Sequence, residues 1–244
     1  MMKRWICLCL TAVLALGLCP LTLAEETAEE PAPAVAEVGA VITFGRYEQD
    51  ADTSDGSEPI EWRVLAVEDG KALLVSDKAL TARPFNDTYA PFSWVDSSLR
   101  AWLNGEFMSG AFTPKEAAAI VAASVDNSAA QGCEDYPPPS EAAAAPTTDR
   151  VFILSYGEIQ RYFSGRSAKR FQCELTAQAV ADGAFVGSAN SYGWWWLRSP
   201  GAKPNDAAGM RNTGRVNHRD VSSVSGAVRP AMWIDIAAAG FAQP

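Results

Sequence analysis

Histidine occurs once in the 244 residues, at His218. With no His-Glu-x-x-His motif and no Cys/His knuckle spacing, the chain lacks the ligand sets of zinc enzymes, and no metal is expected. A Ser-His-Asp site would have to use His218, yet no serine sits in a nucleophile elbow. Cysteine is nearly as scarce. Cys7, Cys9 and Cys19 fall in the leader, which leaves Cys133 and Cys173. Basic clusters are missing too: 20 basic side chains stand against 29 acidic ones, for a formal net charge of −9. That balance argues against nucleic acid and anionic membrane surfaces as partners. Beyond Leu23 no apolar run approaches the roughly 20 residues of a membrane span, so no insertion is expected after the leader is cleaved. There is no internal repeat and no cofactor signature, and none of these absences touches a paired-carboxylate glycosidase, whose acids lie far apart in sequence.

What the chain has begins with a secretion signal at residues 1–24. Lys3 and Arg4 give a positive start, residues 6–18 an apolar stretch of about a dozen, and Thr22-Leu23-Ala24 a small-x-Ala cleavage site. A lipid-anchor reading of Leu16-Gly17-Leu18-Cys19 needs a small residue where Leu18 stands. Residues 25–38 are acidic and rich in Pro and Ala, which predicts a disordered tether. The expected location is extracellular, with association to the cell surface. Roughly 205 residues remain from Val38 onward, enough for one domain. Its expected bounds are 39–237, with a tail at 238–244.

Strands open and close this region, with short helices between them. Residues 41–44 predict a strand stopped at Gly45. The alternation Ile60, Trp62, Val64 with Asp69-Gly70 behind it predicts a type I′ hairpin returning through residues 71–76. Leu99, Trp102 and Leu103 share a helix face capped by Asp96 or Ser97. Thr113-Pro114-Lys115-Glu116 and Ser155-Tyr156-Gly157-Glu158 are capping boxes, the first opening a helix to about Ala123. Residues 176–181 predict a short helix ended by Gly183. Gly, Pro, Ala and Ser dominate residues 126–149, a surface loop. Residues 151–154, 194–198, 214–216, 220–224 and 228–236 predict strands. Helices gathered between terminal strands give an α+β class, one domain with mixed or antiparallel sheets.

Two segments near the C-terminus are the most distinctive. Gly193-Trp194-Trp195-Trp196-Leu197-Arg198-Ser199-Pro200-Gly201 is followed some thirty residues later by Val228-Arg229-Pro230-Ala231. With Phe44-Gly45-Arg46-Tyr47, residues 60–65, 98–104 and 151–155, they resemble a bacterial family of domains of unknown function, the DUF6273 type, common in secreted and surface proteins of gut Firmicutes. The resemblance spans almost all of residues 41–236 and implies no activity. A looser one is to the C-type-lectin-like fold of formylglycine-generating enzymes and retroelement-diversified receptors, which also end on a tryptophan-bearing strand and then an arginine-bearing one. The closely spaced C-terminal cysteines of the former enzymes have no counterpart here, so their chemistry is not implied.

The candidate binding residues are Trp194, Trp195, Trp196, Arg198 and Arg229. Along a strand Trp194 and Trp196 share one face and Trp195 takes the other. Either all three pack into the core, or one ring is exposed as a platform for a sugar or apolar ligand. If all three are buried, the platform loses its support. Arg198 and Arg229 either brace loops through carbonyls and a carboxylate such as Asp206 or Asp235, or meet an anion in a cleft. Cys133 and Cys173 are open to a disulfide or to two thiols. Asp50 to Gly56 with Glu61 in twelfth place resembles a Ca²⁺ loop, but Asp55 replaces the turn glycine, and a solvated acidic loop is expected. Lys203 likewise replaces the first carboxylate of a lectin sugar-calcium motif in Lys203-Pro204-Asn205-Asp206. The expectation is a secreted, non-catalytic module binding an extracellular ligand, cell-wall or host glycan foremost. Its competitors are a paired-carboxylate glycan hydrolase and a structural or protein-partner surface domain.

Overall fold

The hairpin at the N-terminal end of the domain forms as its turn residues dictate. Asp69 and Gly70 both take positive φ, 49° and 75°, the type I′ signature. They join strands Glu58–Glu68 and Lys71–Ser76. The computed structural model containing this hairpin describes residues 33–244 apart from Phe92, Glu134, Asp135, Pro137, Pro139, Ser164, Arg166, Ala189 and Asn190. The segment read as a secretion signal and most of that read as a tether lie outside the described residues.

Two larger sheets and two two-stranded ribbons are found among the described residues, an α+β fold. In the first the order is Val41–Tyr47, Glu58–Glu68, Lys71–Ser76, then Pro230–Asp235, all antiparallel. The far side of Pro230–Asp235 is shared end to end: Val151–Ile153 pairs with its first half and Ile120–Val121 with its second. The second sheet runs Val216–Asp220, Asp206–Met210, Trp195–Pro200, Ala227–Val228, Thr81–Ala82, with one parallel pairing, between the third and fourth. The chain crosses between these sheets four times: after Ser76, between Ala82 and Ile120, between Ile153 and Trp195, and at Arg229.

Several local expectations shift for identifiable reasons. Gly45 does not stop the first strand; it sits at φ 69° in a bulge between Thr43 and Arg46, and the strand continues to Tyr47. A Cβ there would lie 2.5 Å from the Phe112 ring, so glycine lets that ring close over the sheet. Ser97 caps the helix at Ser98–Trp102 by accepting from the Arg100 N–H. Helical backbone then continues through a π-type turn, Leu103–Phe107, to Ala111. The Thr113 capping box forms with both bonds in place, but its helix ends at Ala119. Ile120 and Val121 leave it to pair with Ile234 and Trp233, β-branched residues taking a sheet edge over an alanine-rich helix. The Ser155 box opens helix Tyr156–Tyr162, and Thr176 caps Ala177–Ala181 before Gly183.

In the second sheet Asp206–Met210 is a strand that the sequence pattern does not announce, and the two segments expected at 214–216 and 220–224 are one strand, Val216–Asp220. The small residues of Asp-Ala-Ala-Gly-Met are there for space: a Cβ on Gly209 would sit 3.2 Å from the Trp194 ring and 3.1 Å from the Trp195 carbonyl. Residues 126–149 leave the body and return as Thr147–Asp149, paired with Ala123–Val125. The return is tied down by Asp149, which is buried and accepts from Trp94 Nε1, the Thr147 hydroxyl and Arg100 Nε at 3.0, 2.7 and 2.7 Å. The first and last described segments pair with each other. Val35 bridges Ala242 in parallel, with the Ala36 N–H donating to Ala242 O and the Ala242 N–H to Ala34 O, each at 3.0 Å. The folded domain therefore reaches back into the segment read as tether and forward into the tail.

Candidate functional site

Strand alternation places Trp194 and Trp196 together, edge to face with centroids 4.6 Å apart, and Phe85 meets Trp196 at 5.7 Å. Trp195 points to the other face, where its Nε1 donates to Phe171 O at 3.0 Å. Trp196 Nε1 donates to Arg83 O at 2.8 Å. All three rings are core: relative exposures are 4%, 0% and 0%. No ring of the triplet offers an exposed platform, and that role is withdrawn from Trp194, Trp195 and Trp196. Covered sheet faces on both sides allow three consecutive tryptophans to be buried at once.

Arg198 follows them and is 3% exposed. Its Nε donates to Asn127 Oδ1, Nη1 to Ile153 O and Nη2 to Asp126 O, at 3.2, 2.9 and 3.0 Å. Both terminal nitrogens also meet the Glu158 carboxylate, Nη2 to Oε1 at 2.6 Å and Nη1 to Oε2 in a short contact. All N–H groups of the guanidinium are thereby engaged. Its carboxylate partner is Glu158, the glutamate of the Ser155 capping box, and not Asp206 or Asp235. Arg198 is a brace that holds the second sheet to the end of the first. Beside it, burial would raise the Asp126 carboxyl, but bonds from Ser128 and Gln131 and the charge of Arg198 outweigh this and hold it below the usual range.

The residues after Arg198 wall a cavity of about 190 Å³. Ser199 is fixed, donating to Gln131 O at 2.6 Å and accepting the Tyr156 N–H at 2.8 Å. Gly201 permits a tight return: its N–H donates to Asp206 O at 2.9 Å, and a Cβ there would lie 2.5 Å from the Asp206 Cβ. Phe85, Trp94 and Tyr136 supply aromatic lining. Tyr136 comes from the 126–149 excursion and rests against the His218 ring at 4.4 Å. Burial pushes the His218 imidazole below its ordinary range, against the pull of Asp206. The cavity's uncommitted polar groups are the buried Ser93 hydroxyl, Lys203 and Asp206; none has a side-chain hydrogen bond or ion pair among the described residues. Asp206 is the single carboxylate among the described lining residues.

Arg229 stands elsewhere, at the last of the crossings between the sheets, also 3% exposed. It donates from Nε to Ser76 O at 2.8 Å and from Nη2 to Asp77 O at 3.3 Å, so it ties this crossing to the one that follows Ser76. Arg198 and Arg229 therefore belong to two separate places. Cys133 and Cys173 are not bonded to one another, and burial pushes the Cys173 thiol up despite the nearby Arg229 charge. In the acidic loop Asp52 accepts from the Ser54 N–H and hydroxyl. Glu48, Asp50 and Glu58 gather their carboxylates within 4.8 Å, without Glu61. The wall of the cavity was not legible as a site; its only signal was that the Arg-Ser-Pro-Gly half of the signature is as distinctive as the tryptophans.

A family model described as a domain of unknown function (DUF6273) matches residues 69–236. No curated protein and no solved structure matches the chain, so the C-type-lectin-like resemblance rests on its end motifs alone.

Proposed function

We propose that this chain, which belongs to the DUF6273 family of domains of unknown function, is an extracellular, non-catalytic module that seats one residue of a glycan in the cavity beside Arg198. One observation carries the reading: the second half of the family signature walls a cavity whose remaining polar groups, Ser93, Lys203 and Asp206, have no side-chain hydrogen bond or ion pair among the described residues. The volume, about 190 Å³, equals about six waters at ~30 Å³ each, which suits a single ring better than an extended chain. Tyr136 supplies an aromatic surface for the ring's C–H face, and the ammonium and carboxylate at the mouth suit hydroxyls. Arg198 acts by position, since all its donors are engaged. The signal at residues 1–24 supports an extracellular destination.

A lone lining carboxylate favours binding over hydrolysis, which needs two acids across the scissile bond. The test is a screen of the purified protein against a glycan array and intact peptidoglycan, followed by titration calorimetry. Saturable binding that weakens about tenfold or more in Tyr136→Ala and Asp206→Asn, with both variants folded, supports the reading. New reducing ends in the mixture would move it to a hydrolase. An absence of binding to every glycan leaves the structural or protein-partner role.

A further inference from the structure

Three charged side chains of the described domain are more than nine-tenths buried: Asp149, Arg198 and Arg229. Asp149 pairs with Arg100, and Arg198 with Glu158. Arg229 has no carboxylate within 4 Å among the described residues. Two carbonyls take its Nε and Nη2, and the rings of Trp195 and Phe163 lie 5.2 and 5.4 Å from its central carbon. Those aromatic faces offset part of the charge. Its Nη1, buried, with two N–H groups, has no partner among the described residues. A charge removed from water without a counter-ion is expensive to keep.

Arg229 lines a cleft of about 330 Å³, and the cleft is cationic within an acidic protein. Arg63 lines it too, neutralised by Asp77 at 2.6 Å. Lys78 and Arg170 are not so paired, and Glu174 is the one opposing acid left among the described lining residues. Arg170 stacks on Phe171 at 4.0 Å, donates from Nη1 to Ser167 O, and keeps a buried Nε with no partner among the described residues. Two guanidiniums with unused donors thus share one cleft whose wall includes the half-buried Phe163.

We propose that this cleft binds a small organic carboxylate, its two oxygens facing Arg229 and Arg170 and its carbon skeleton lying against Phe163. Planar guanidinium donors match a carboxylate's geometry. Glu174 on the same rim disfavours a dianion such as phosphate, and the aromatic wall favours a ligand with an apolar part. This site is separate from the Arg198 cavity and does not rest on the reading given for it.

Benzoate is the probe, titrated into the full chain at low salt. Benzamide serves as its neutral isostere and inorganic phosphate as the dianion. Binding is read by calorimetry and by the NMR signals of the arginine Nε–H groups. Saturable benzoate binding is expected, with a shift at Arg229, tenfold or greater preference over benzamide, and at least tenfold weakening in Arg170→Gln. Arg170 lies outside both sheets, so this variant should stay folded; Lys78→Gln, at an exposed position, gives a second and smaller loss. Lys203→Gln, in the other cavity, should leave benzoate affinity unchanged. Benzamide binding as tightly as benzoate, phosphate binding more tightly, no saturation, or indifference to Arg170→Gln would each overturn the proposal.

Discussion

Gly226→Ala is the sharpest single perturbation this packing offers. The glycine is buried beside the tryptophan triplet and is not among the positive-φ glycines, so a methyl group acts chiefly through space. That methyl would lie 2.1 Å from Trp196 Nε1, 2.4 Å from Trp196 Cε2 and 2.6 Å from Trp194 Cη2. Neither indole can retreat easily. They meet edge to face, Phe85 backs Trp196, and the Trp196 N–H is held by the Arg83 carbonyl. Overpacking of this kind costs about 1–3 kcal/mol, and displacing the indole N–H from its buried partner adds roughly 1 kcal/mol or more. A loss of about 3 kcal/mol at a urea slope of ~2 kcal/mol/M moves the unfolding midpoint down by roughly 1.5 M. Tryptophan fluorescence follows both the transition and the disturbed rings. Gly110→Ala is the matched control: its added Cβ meets nothing within 4 Å, it lies in helix Met108–Ala111, and it should stabilise by about 0.5–1 kcal/mol. A Gly226→Ala midpoint indistinguishable from the parent would show that the triplet can shift, and the account of a wedged core would fail.

Two further predictions concern charges. Glu158→Ala strands the buried Arg198 guanidinium and removes the acceptor for the Ser155 N–H, so it should cost about 3–5 kcal/mol in urea unfolding; adding Arg198→Met should recover more than half of that. Burial would raise the Glu116 carboxyl, but hydrogen bonds from the Thr113 N–H, the Thr113 hydroxyl and the Gly45 N–H outweigh it and hold it below its ordinary 4.5. A folded-state pKa below the unfolded one contributes stability that is present above about 4.5 and lost as pH falls through the folded value. Glu116→Gln should therefore lower the midpoint at neutral pH and flatten its decline in acid, and a parallel decline in both proteins would refute the assignment.

Much of the fold was legible because its signals are local. Asp69-Gly70 sets a turn by its own backbone preferences, and Thr113 and Ser155 cap helices through atoms three residues away. The Asp206–Met210 strand was not legible, since its small residues answer to the ring of Trp194 across the sheet and not to strand propensity. Ile120 and Val121 were misplaced for the same reason: their partner strand lies more than a hundred residues away. Among the candidate site residues, alternation correctly separated Trp195 from its neighbours. It could not say that both faces are covered, because burial of the second face depends on how two sheets and a long excursion close over it. The two arginines look alike in sequence. Their difference, a carboxylate beside one and none beside the other, follows from which loop each meets.

The bridge between Val35 and Ala242 has a mechanical consequence. In a parallel pair the chain before Val35 and the chain after Ala242 leave in opposite directions along the strand axis. A pull applied between the two ends would load the hydrogen bonds Ala36–Ala242 and Ala242–Ala34 lengthwise and together, in shear, and not one after the other as in unzipping. For a domain anchored at one end and dragged at the other, that small clasp would take the load first, before force reached the hairpin or the braced arginines behind it.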